Sequence, residues 1–286
     1  MPRLFCLGLG YTALALARRL RPQGWAIGGT CREPDKAATL RAGGIDAIVD
    51  PDDARRLIAM ATHLLASIPP DADGDPALAL WGPAIARHPG LAWVGYLSTT
   101  GVYGDRDGDW VDETAPLAPT GERGQRRVEA EAAWSALLPG VPVHIFRLAG
   151  IYGPGRSALD TVRAGRAQRV VKRGQVFSRV HVDDIAQVLA ASIARPRPGA
   201  VYNVCDDNPA PPDEVIAYAC ELLGVAPPPA VPFEQADLSE MARSFYADNK
   251  RVSNRLIKTE LGVDLVYPDY RAGLRALLEQ ERLGIA

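Results

Sequence analysis

The residues with the clearest chemical potential form a glycine-rich turn near the start of the chain. The segment reads Gly8-Leu9-Gly10-Tyr11-Thr12-Ala13, directly after a short apolar strand and at the start of a helix. Gly8 permits a tight turn, Gly10 lets a backbone approach a pyrophosphate, and Ala13 allows close packing of the helix on the strand. Free amide groups and the positive end of the helix then favour phosphate. The turn predicts a dinucleotide site that includes Gly8, Gly10, Tyr11 and Thr12, although such a turn can also be purely structural.

The end of the second predicted strand bears on the choice of dinucleotide. It reads Gly29-Thr30-Cys31-Arg32, where an NAD-selective site usually has an acid that accepts from the ribose 2′-hydroxyl. The Arg32 guanidinium suits a 2′-phosphate by its charge and forked geometry. We therefore predict NADP, with NAD as an alternative because Glu33 is adjacent. Asp50, at the end of the third strand, is predicted either to contact adenine or to cap a turn.

The elements that must position these residues alternate along the first half of the chain. This alternation predicts an α/β fold: a Rossmann-type doubly wound parallel sheet with a smaller C-terminal α+β lobe. Continuous apolar strands such as residues 143–146 are typical of a sheet that is covered on both faces. The predicted strands are 3–7, 26–30, 47–49, 63–66, 93–97 and 143–147. The predicted helices are 13–20, 36–42, 53–61, 76–87 and 122–138.

After Pro154 the alternation weakens. We predict helices over 184–194, 212–223 and 270–283, a strand over 200–204, and a stiff proline-rich connector over 227–232. The predicted division is a Rossmann domain over 1–155, to which 178–204 returns, and a mainly C-terminal substrate lobe over 156–286. The apolar stripe of the 122–138 helix (Val128, Ala132, Leu137, Leu138) slightly favours a homodimer, although core packing explains the same stripe.

Composition excludes several classes of function. The chain has 286 residues, is 47% hydrophobic and carries a net charge of −2 with no basic block. It is therefore long enough to bury a large core, and nothing in it favours nucleic acid or an anionic membrane surface. The four cysteines lack paired spacing, which is typical of reduced thiols rather than of disulfides or a metal site.

The apolar run from Leu4 to Ala17 is superficially similar to a secretory signal. Gly8 and Gly10 interrupt this run, and its removal would leave no ordered segment to begin the fold. No stretch reaches the roughly 18 apolar residues that a membrane span needs. We therefore expect a cytoplasmic protein.

Five segments later in the chain share one resemblance. They are 97–105 (Leu-Ser-Thr-Thr-Gly-Val-Tyr-Gly-Asp), 147–155 (Arg-Leu-Ala-Gly-Ile-Tyr-Gly-Pro-Gly), 180–186 (Val-His-Val-Asp-Asp-Ile-Ala), 202–204 (Tyr-Asn-Val) and 248–254 (Asp-Asn-Lys-Arg-Val-Ser-Asn). In this order they resemble the signatures of extended short-chain dehydrogenases/reductases of the NAD-dependent epimerase/dehydratase type. The resemblance spans nearly the whole chain and implies a dinucleotide-binding domain with a lobe that closes over substrate.

The resemblance also implies catalytic positions. Thr99 lies where the family has its catalytic Ser/Thr, with Ser98 and Thr100 as close alternatives, although a hydroxyl at a strand end can equally be satisfied by backbone. The family then usually reads Tyr-Gly-x-Ser-Lys-x-x-Ala-Glu, whereas residues 123–131 read Arg-Gly-Gln-Arg-Arg-Val-Glu-Ala-Glu. Gly124, Ala130 and Glu131 keep the frame, but Arg123 and Arg127 occupy the positions of the tyrosine and lysine.

Arginine does not replace a phenol in proton transfer. The family chemistry lowers a tyrosine pKa that is normally about 10, whereas the arginine pKa above about 12 keeps it protonated. Arg123 and Arg127 are therefore expected to donate hydrogen bonds to an oxyanion, a carboxylate, ribose or phosphate. Tyr103, Tyr152 and His181 are the possible substitutes for proton transfer, and each also belongs to a segment with a structural role in the family.

A second departure concerns the substrate. Nucleotide-sugar epimerases typically carry an arginine four residues before the histidine of the 180–186 segment, where this chain has Phe177. Arg179 is out of register and nothing near Arg243 compensates, so a nucleotide sugar is disfavoured, while Arg156 or Arg179 could hold a simpler anion. Three hypotheses follow: an NADP-dependent oxidoreductase on a small carbonyl or alcohol, a non-catalytic NADP(H) sensor or regulatory protein, and a sugar epimerase or dehydratase with a displaced base.

Overall fold

A computed structural model describes residues 1–284, so the last two residues of the predicted 156–286 lobe lie outside it. The strands are β1 (Arg3–Leu7), β2 (Ala26–Thr30), β3 (Asp46–Ile48), β4 (His63–Ala66), β5 (Trp93–Thr99), β6 (Trp110–Val111), β7 (Val143–Leu148), β8 (Gly150–Tyr152), β9 (Arg169–Val171), β10 (Arg179–His181), β11 (Val201–Val204), β12 (Ala230–Pro232) and β13 (Arg251–Val252). The α-helices are α1 (Tyr11–Leu20), α2 (Pro34–Ala42), α3 (Pro51–Ala59), α4 (Pro76–Ala86), α5 (Glu122–Ser135), α6 (Ala158–Arg163), α7 (Val182–Ala194), α8 (Pro212–Leu223), α9 (Glu240–Phe245), α10 (Arg255–Thr259) and α11 (Tyr270–Arg282).

The central sheet has seven strands in the order β11-β7-β5-β4-β1-β2-β3. Every neighbouring pair in it is parallel. The strand order reverses between β1 and β4, and this switch point is where a doubly wound sheet leaves a crevice at the carboxyl ends of its strands. The predicted Rossmann-type fold is therefore confirmed, and each of the seven sheet strands coincides with or overlaps a strand predicted from the sequence.

Helices cover both faces of this sheet because its strands are apolar on both sides. On one face, α1 and α7 pack against each other and bury residues such as Leu16 and Leu189. On the other face, α3, α4 and α5 contribute buried residues that include Leu57, Trp81 and Trp134. Val128, Leu137 and Leu138 of the stripe on the 122–138 segment are partly buried against these two cores, so core packing explains most of that stripe.

The C-terminal lobe has a separate small core. Helices α6, α8 and α11 pack around Leu159, Val215, Ala219 and Leu274. Two short parallel pairs, β8 with β10 and β9 with β12, complete the lobe. None of the helices in residues 1–284 is long and apolar enough to cross a membrane.

The structure corrects several predicted elements. The 227–232 segment is not only a connector, because Ala230–Pro232 forms β12 and pairs with β9. The 200–204 segment joins the main sheet as β11, but β10, which is part of the predicted return over 178–204, pairs with β8 instead. Helix α5 ends at Ser135 rather than at residue 138, and α1 begins at Tyr11 rather than at residue 13.

Candidate dinucleotide and substrate site

The glycine-rich turn after β1 is held in place by the ends of two neighbouring strands. The Gly8 amide donates to Thr30 Oγ1 over 2.9 Å, and Ser67 Oγ donates to the Gly8 carbonyl over 2.7 Å. Gly8 has φ +98°, which only glycine adopts readily, and a Cβ there would lie 2.9 Å from Ser67 Oγ. The turn is thus rigidly positioned at the switch point of the sheet.

Gly10 leaves an open cradle at the start of α1. A Cβ built on Gly10 would have no heavy atom of the protein within 4 Å. Gly10 is also the N-cap of α1, where no side chain accepts from the first amides, and the first turn of the helix has no acidic residue. Uncapped amides at the positive end of a ten-residue helix, with open space in front of them, fit a phosphate group.

Tyr11 connects this turn to the loop that follows β8. Its hydroxyl donates to the Pro154 carbonyl over 3.0 Å, and the Arg156 guanidinium lies 5.9 Å from its ring centroid. Burial raises the pKa of Tyr11 to about 12, so this hydroxyl stays protonated at neutral pH. The neighbouring Thr12 is the second residue of α1, and it is buried.

The two residues predicted near the adenosine have different environments. Arg32 lies two residues beyond the end of β2, and its side chain is exposed. Asp50 is exposed and caps α3, where its Oδ1 accepts from the Asp52 amide over 2.7 Å. Of the two roles predicted for Asp50, adenine contact and turn capping, the structure shows capping.

The hydroxyl groups of Ser98, Thr99 and Thr100, at the end of β5, differ in their accessibility. Thr99, at the end of β5, is half-buried and its Oγ1 accepts from the Gly101 amide over 3.1 Å. Ser98 is buried and donates to Glu131 Oε1 over 2.5 Å. Because Ser98 is committed to an internal contact, Thr99 and its half-buried neighbour Thr100 are the hydroxyls of this strand end that a substrate can reach.

Arg123 and Arg127 are one helical turn apart on α5 and therefore share a face. The helix approaches the turn after β5 closely, since a Cβ on Gly124 would lie 3.0 Å from the Gly101 carbonyl oxygen. Arg127 donates to the Leu97 carbonyl and, over 3.3 Å, to the Tyr96 hydroxyl. Arg123 is exposed, with its guanidinium 5.7 Å from the ring centroid of Phe245. Arg127 is thus tied to β5, whereas Arg123 points to a region open to solvent.

Tyr103 lies in a buried network rather than in the open site. Its side chain is fully buried, and its hydroxyl donates to Asn203 Oδ1 over 2.7 Å and accepts from Arg147 Nη1 over 2.9 Å. Burial raises the pKa of Tyr103 above its usual value, although the charge of Arg147 and its hydrogen bond to the hydroxyl partly oppose this. This placement contradicts the proton-transfer role predicted for Tyr103, because its hydroxyl is enclosed and has both partners.

Tyr152 and His181 lie together behind the loop that follows β8. The His181 ring is fully buried, 4.0 Å from the ring of Tyr267, and its Nδ1 accepts from the Asp183 amide over 3.2 Å. Burial lowers the pKa of His181 to about 4 and raises that of Tyr152 above its usual value. Neither group is therefore poised to exchange a proton near pH 7.

A cleft of about 560 Å³ opens in the C-terminal lobe between the starts of α6, α8 and α11. The side chains that line it include three arginines and two tyrosines: Arg156, Arg166, Arg179, Tyr152 and Tyr270. Phe177 packs instead against Tyr246, with ring centroids 5.3 Å apart, and Arg243 donates to the Ala236 carbonyl away from the cleft. Arg156 and Arg179 were identified from the sequence as residues that could hold an anion. Arg166 and Tyr270 were not identified, because neither belongs to a recognisable local motif.

The similarity of this chain to several known proteins covers nearly its whole length. Protein YeeZ of Escherichia coli K12 is 30% identical, over 94% of this chain and 97% of its own. A conserved Silicibacter pomeroyi protein of unknown function has 57% identity and a TM-score of 0.91, over 98% of this chain and 99% of its own. A Methylobacillus flagellatus protein, provisionally assigned to the NAD-dependent epimerase/dehydratases, has 26% identity and a TM-score of 0.72, over 98% of both chains.

No family model matches the sequence. The family is therefore shown by the relatives themselves and by the fold they share. With 30% identity across nearly all of both chains, and with a Rossmann fold like that of epimerase/dehydratase-type proteins, this chain belongs to the family of Protein YeeZ.

Proposed function

We propose that this protein binds NADP(H) and acts as an oxidoreductase on a small carbonyl or alcohol substrate. The observation that carries the proposal is the open cradle at Gly10, where uncapped helix amides face free space. The provisional assignment of the Methylobacillus protein as NAD-dependent supports a nicotinamide dinucleotide. When bound, such a cofactor supplies or accepts a hydride.

The contribution of this chain to the reaction is polarisation rather than proton exchange. Arg123 is exposed on the same helix face as Arg127 and is free to donate hydrogen bonds to a carbonyl oxygen on which negative charge develops. Thr99 Oγ accepts from backbone and keeps its own proton to donate to the same oxygen. Arg127, tied to β5, stabilises the position of the helix. The final proton is then drawn from solvent.

Arg32 is proposed to select NADP over NAD. We expect Arg32→Ala to weaken NADPH binding about ten- to a hundred-fold, since one charge-assisted contact to phosphate contributes about 1.5–3 kcal/mol. NADH binding is expected to stay within about two-fold of wild type. Titration calorimetry of the cofactor-free protein with NADP⁺, NADPH, NAD⁺ and NADH measures both effects.

Arg87→Ala is the matched control, because Arg87 is an exposed arginine at the end of α4, next to the opposite ends of the sheet strands. If Arg32→Ala and Arg87→Ala bind NADPH equally, the assignment of NADP is contradicted. If none of the four dinucleotides binds the wild-type protein, the proposed function itself is overturned.

A non-catalytic NADP(H) sensor is the second candidate. The burial of Tyr103 and the low pKa of His181 favour it, since neither of these two candidates is placed to take over proton transfer from the family tyrosine. A sugar epimerase or dehydratase with a displaced base is the third, and the same observations weigh against it.

A turnover screen separates the first two candidates. With NADPH and a panel of small carbonyl compounds, we expect slow oxidation that Arg123→Gln lowers about ten- to a hundred-fold, because this variant removes the charge that faces the oxyanion. Arg126→Gln is the control, since Arg126 lies on the same helix and pairs with Glu122. Turnover that Arg123→Gln leaves unchanged contradicts the role of Arg123, and the absence of turnover with every compound supports the sensor.

A further inference from the structure

Positively charged side chains outnumber negatively charged ones in the lining of the C-terminal cleft. Three guanidinium groups, from Arg156, Arg166 and Arg179, line it together with one carboxylate, that of Asp160. Asp160 already accepts from the Ser157 amide over 2.8 Å and from Ser157 Oγ over 2.6 Å, as part of the cap of α6. Asp160 therefore interacts with the start of its own helix, and the three guanidinium groups outnumber this one carboxylate in the lining of the cleft.

The position of Arg179 is built into the fold. Its Nη1 donates to the carbonyl oxygens of Phe177 and Ala210 over 2.8 and 3.0 Å. These two bonds use one nitrogen of the guanidinium and fix the plane of the group. Arg179 has an acidic neighbour in the buried Asp206, whose amide donates to the Arg179 carbonyl over 2.6 Å. An arginine held in this way needs no rearrangement to meet a ligand.

An independent observation comes from Tyr270 at the start of α11. Its side chain is 1% exposed, yet its hydroxyl has no hydrogen-bond partner in the protein. Tyr270 lines the cleft together with Arg179. A buried hydroxyl without a partner costs free energy, so native proteins rarely keep one unless water or a ligand satisfies it.

We propose that this cleft binds a small organic anion, a carboxylate or a phosphate ester, through Arg166, Arg179 and the Tyr270 hydroxyl. Arg156 links the cleft to the dinucleotide cradle, because its guanidinium lies over the ring of Tyr11 in the first turn of α1. Identification of this anion as the substrate rests on the proposed oxidoreductase function, whereas its binding does not. The substrate is then a carbonyl or alcohol compound with an anionic group remote from the reacting carbon.

Tyr270→Phe is the sharpest test, since it removes only the hydroxyl that has no partner and is expected to leave stability unchanged or slightly higher. The probes are inorganic phosphate, glycerol 3-phosphate and malonate, with glycerol as the neutral comparison, titrated into cofactor-free protein at constant ionic strength. We expect the anions to bind and glycerol not to bind. Tyr270→Phe and Arg166→Gln are each expected to weaken anion binding about ten-fold. Arg173→Gln, which removes an exposed arginine outside the cleft, is expected to match wild type.

The outcomes distinguish this inference from the proposed function when NADPH is titrated into the same samples. NADPH binding without binding of any of the three anions overturns the anion site and leaves the proposed cofactor intact. Equal anion binding by wild type, Tyr270→Phe and Arg166→Gln also overturns it, because the anions then bind elsewhere. Anion binding that Tyr270→Phe weakens supports the site even where NADPH fails to bind and the proposed function falls.

Discussion

Gly10→Ala is expected to leave the protein folded and to lower its affinity for NADPH at least about ten-fold, equivalent to about 1.4 kcal/mol. The added methyl group meets no heavy atom of the protein within 4 Å, and Gly10 has φ −86° and ψ −171°, which alanine adopts without strain. The same methyl group occupies the space in front of the first amides of α1, where a phosphate would accept their hydrogen bonds. Calorimetric titration with NADPH and thermal unfolding of the same sample measure the two effects.

Two other glycine variants complete this experiment. Gly90→Ala, in the turn before β5, also adds a methyl group that meets nothing within 4 Å, and we expect it to keep both stability and affinity. Gly8→Ala is expected to lower stability, because it imposes φ +98° on a residue with a Cβ and forces contact with Ser67 and Ile68. If Gly10→Ala binds NADPH as wild type does, the dinucleotide does not use this turn, and the observation that carries the proposed function fails.

The strands of the main sheet could be predicted because most of them are recognisable from the pattern of consecutive residues. Most of its seven strands are short, mainly apolar segments, as at Val143–Leu148, and helical segments separate most of them. The pairs β8 with β10 and β9 with β12 were not predictable. These strands are as short as β3 but, unlike β3, do not lie directly between two predicted helices, and they form because distant segments such as 169–171 and 230–232 meet in the folded chain.

The candidate site also has one part that the sequence predicts and another part that it does not. The glycine-rich turn is a property of consecutive residues, so the sequence alone locates it. The burial of Tyr103 depends on Arg147 and Asn203, which are 44 and 100 residues away in the chain, and no local pattern contains that information. The unpartnered hydroxyl of Tyr270 was equally hidden, because an absent hydrogen bond is visible only in three dimensions.

Glu131 keeps its place in the family frame for a structural reason. It forms a buried ion pair with Arg147, in which Arg147 Nη2 lies 2.8 Å from Glu131 Oε2 and the two side chains are 6% and 5% exposed. Ser98 donates to the same carboxylate, and Arg147 continues to Tyr103 and then to Asn203. These contacts connect α5 to β5, β7 and β11, which are adjacent strands at one side of the sheet.

Glu131→Ala is therefore expected to lower the free energy of unfolding by about 3–5 kcal/mol, because it leaves the Arg147 charge buried without its partner. The exposed pair of Glu122 and Arg126 on the same helix is the control, and Glu122→Ala is expected to cost about 0.3–0.5 kcal/mol. Urea unfolding followed by circular dichroism measures both. A second variant, Glu131→Leu combined with Arg147→Met, removes both charges and is expected to recover much of the loss. If Glu131→Ala and Glu122→Ala cost the same, the network does not stabilise the sheet, and the retention of Glu131 in this chain needs a functional explanation instead.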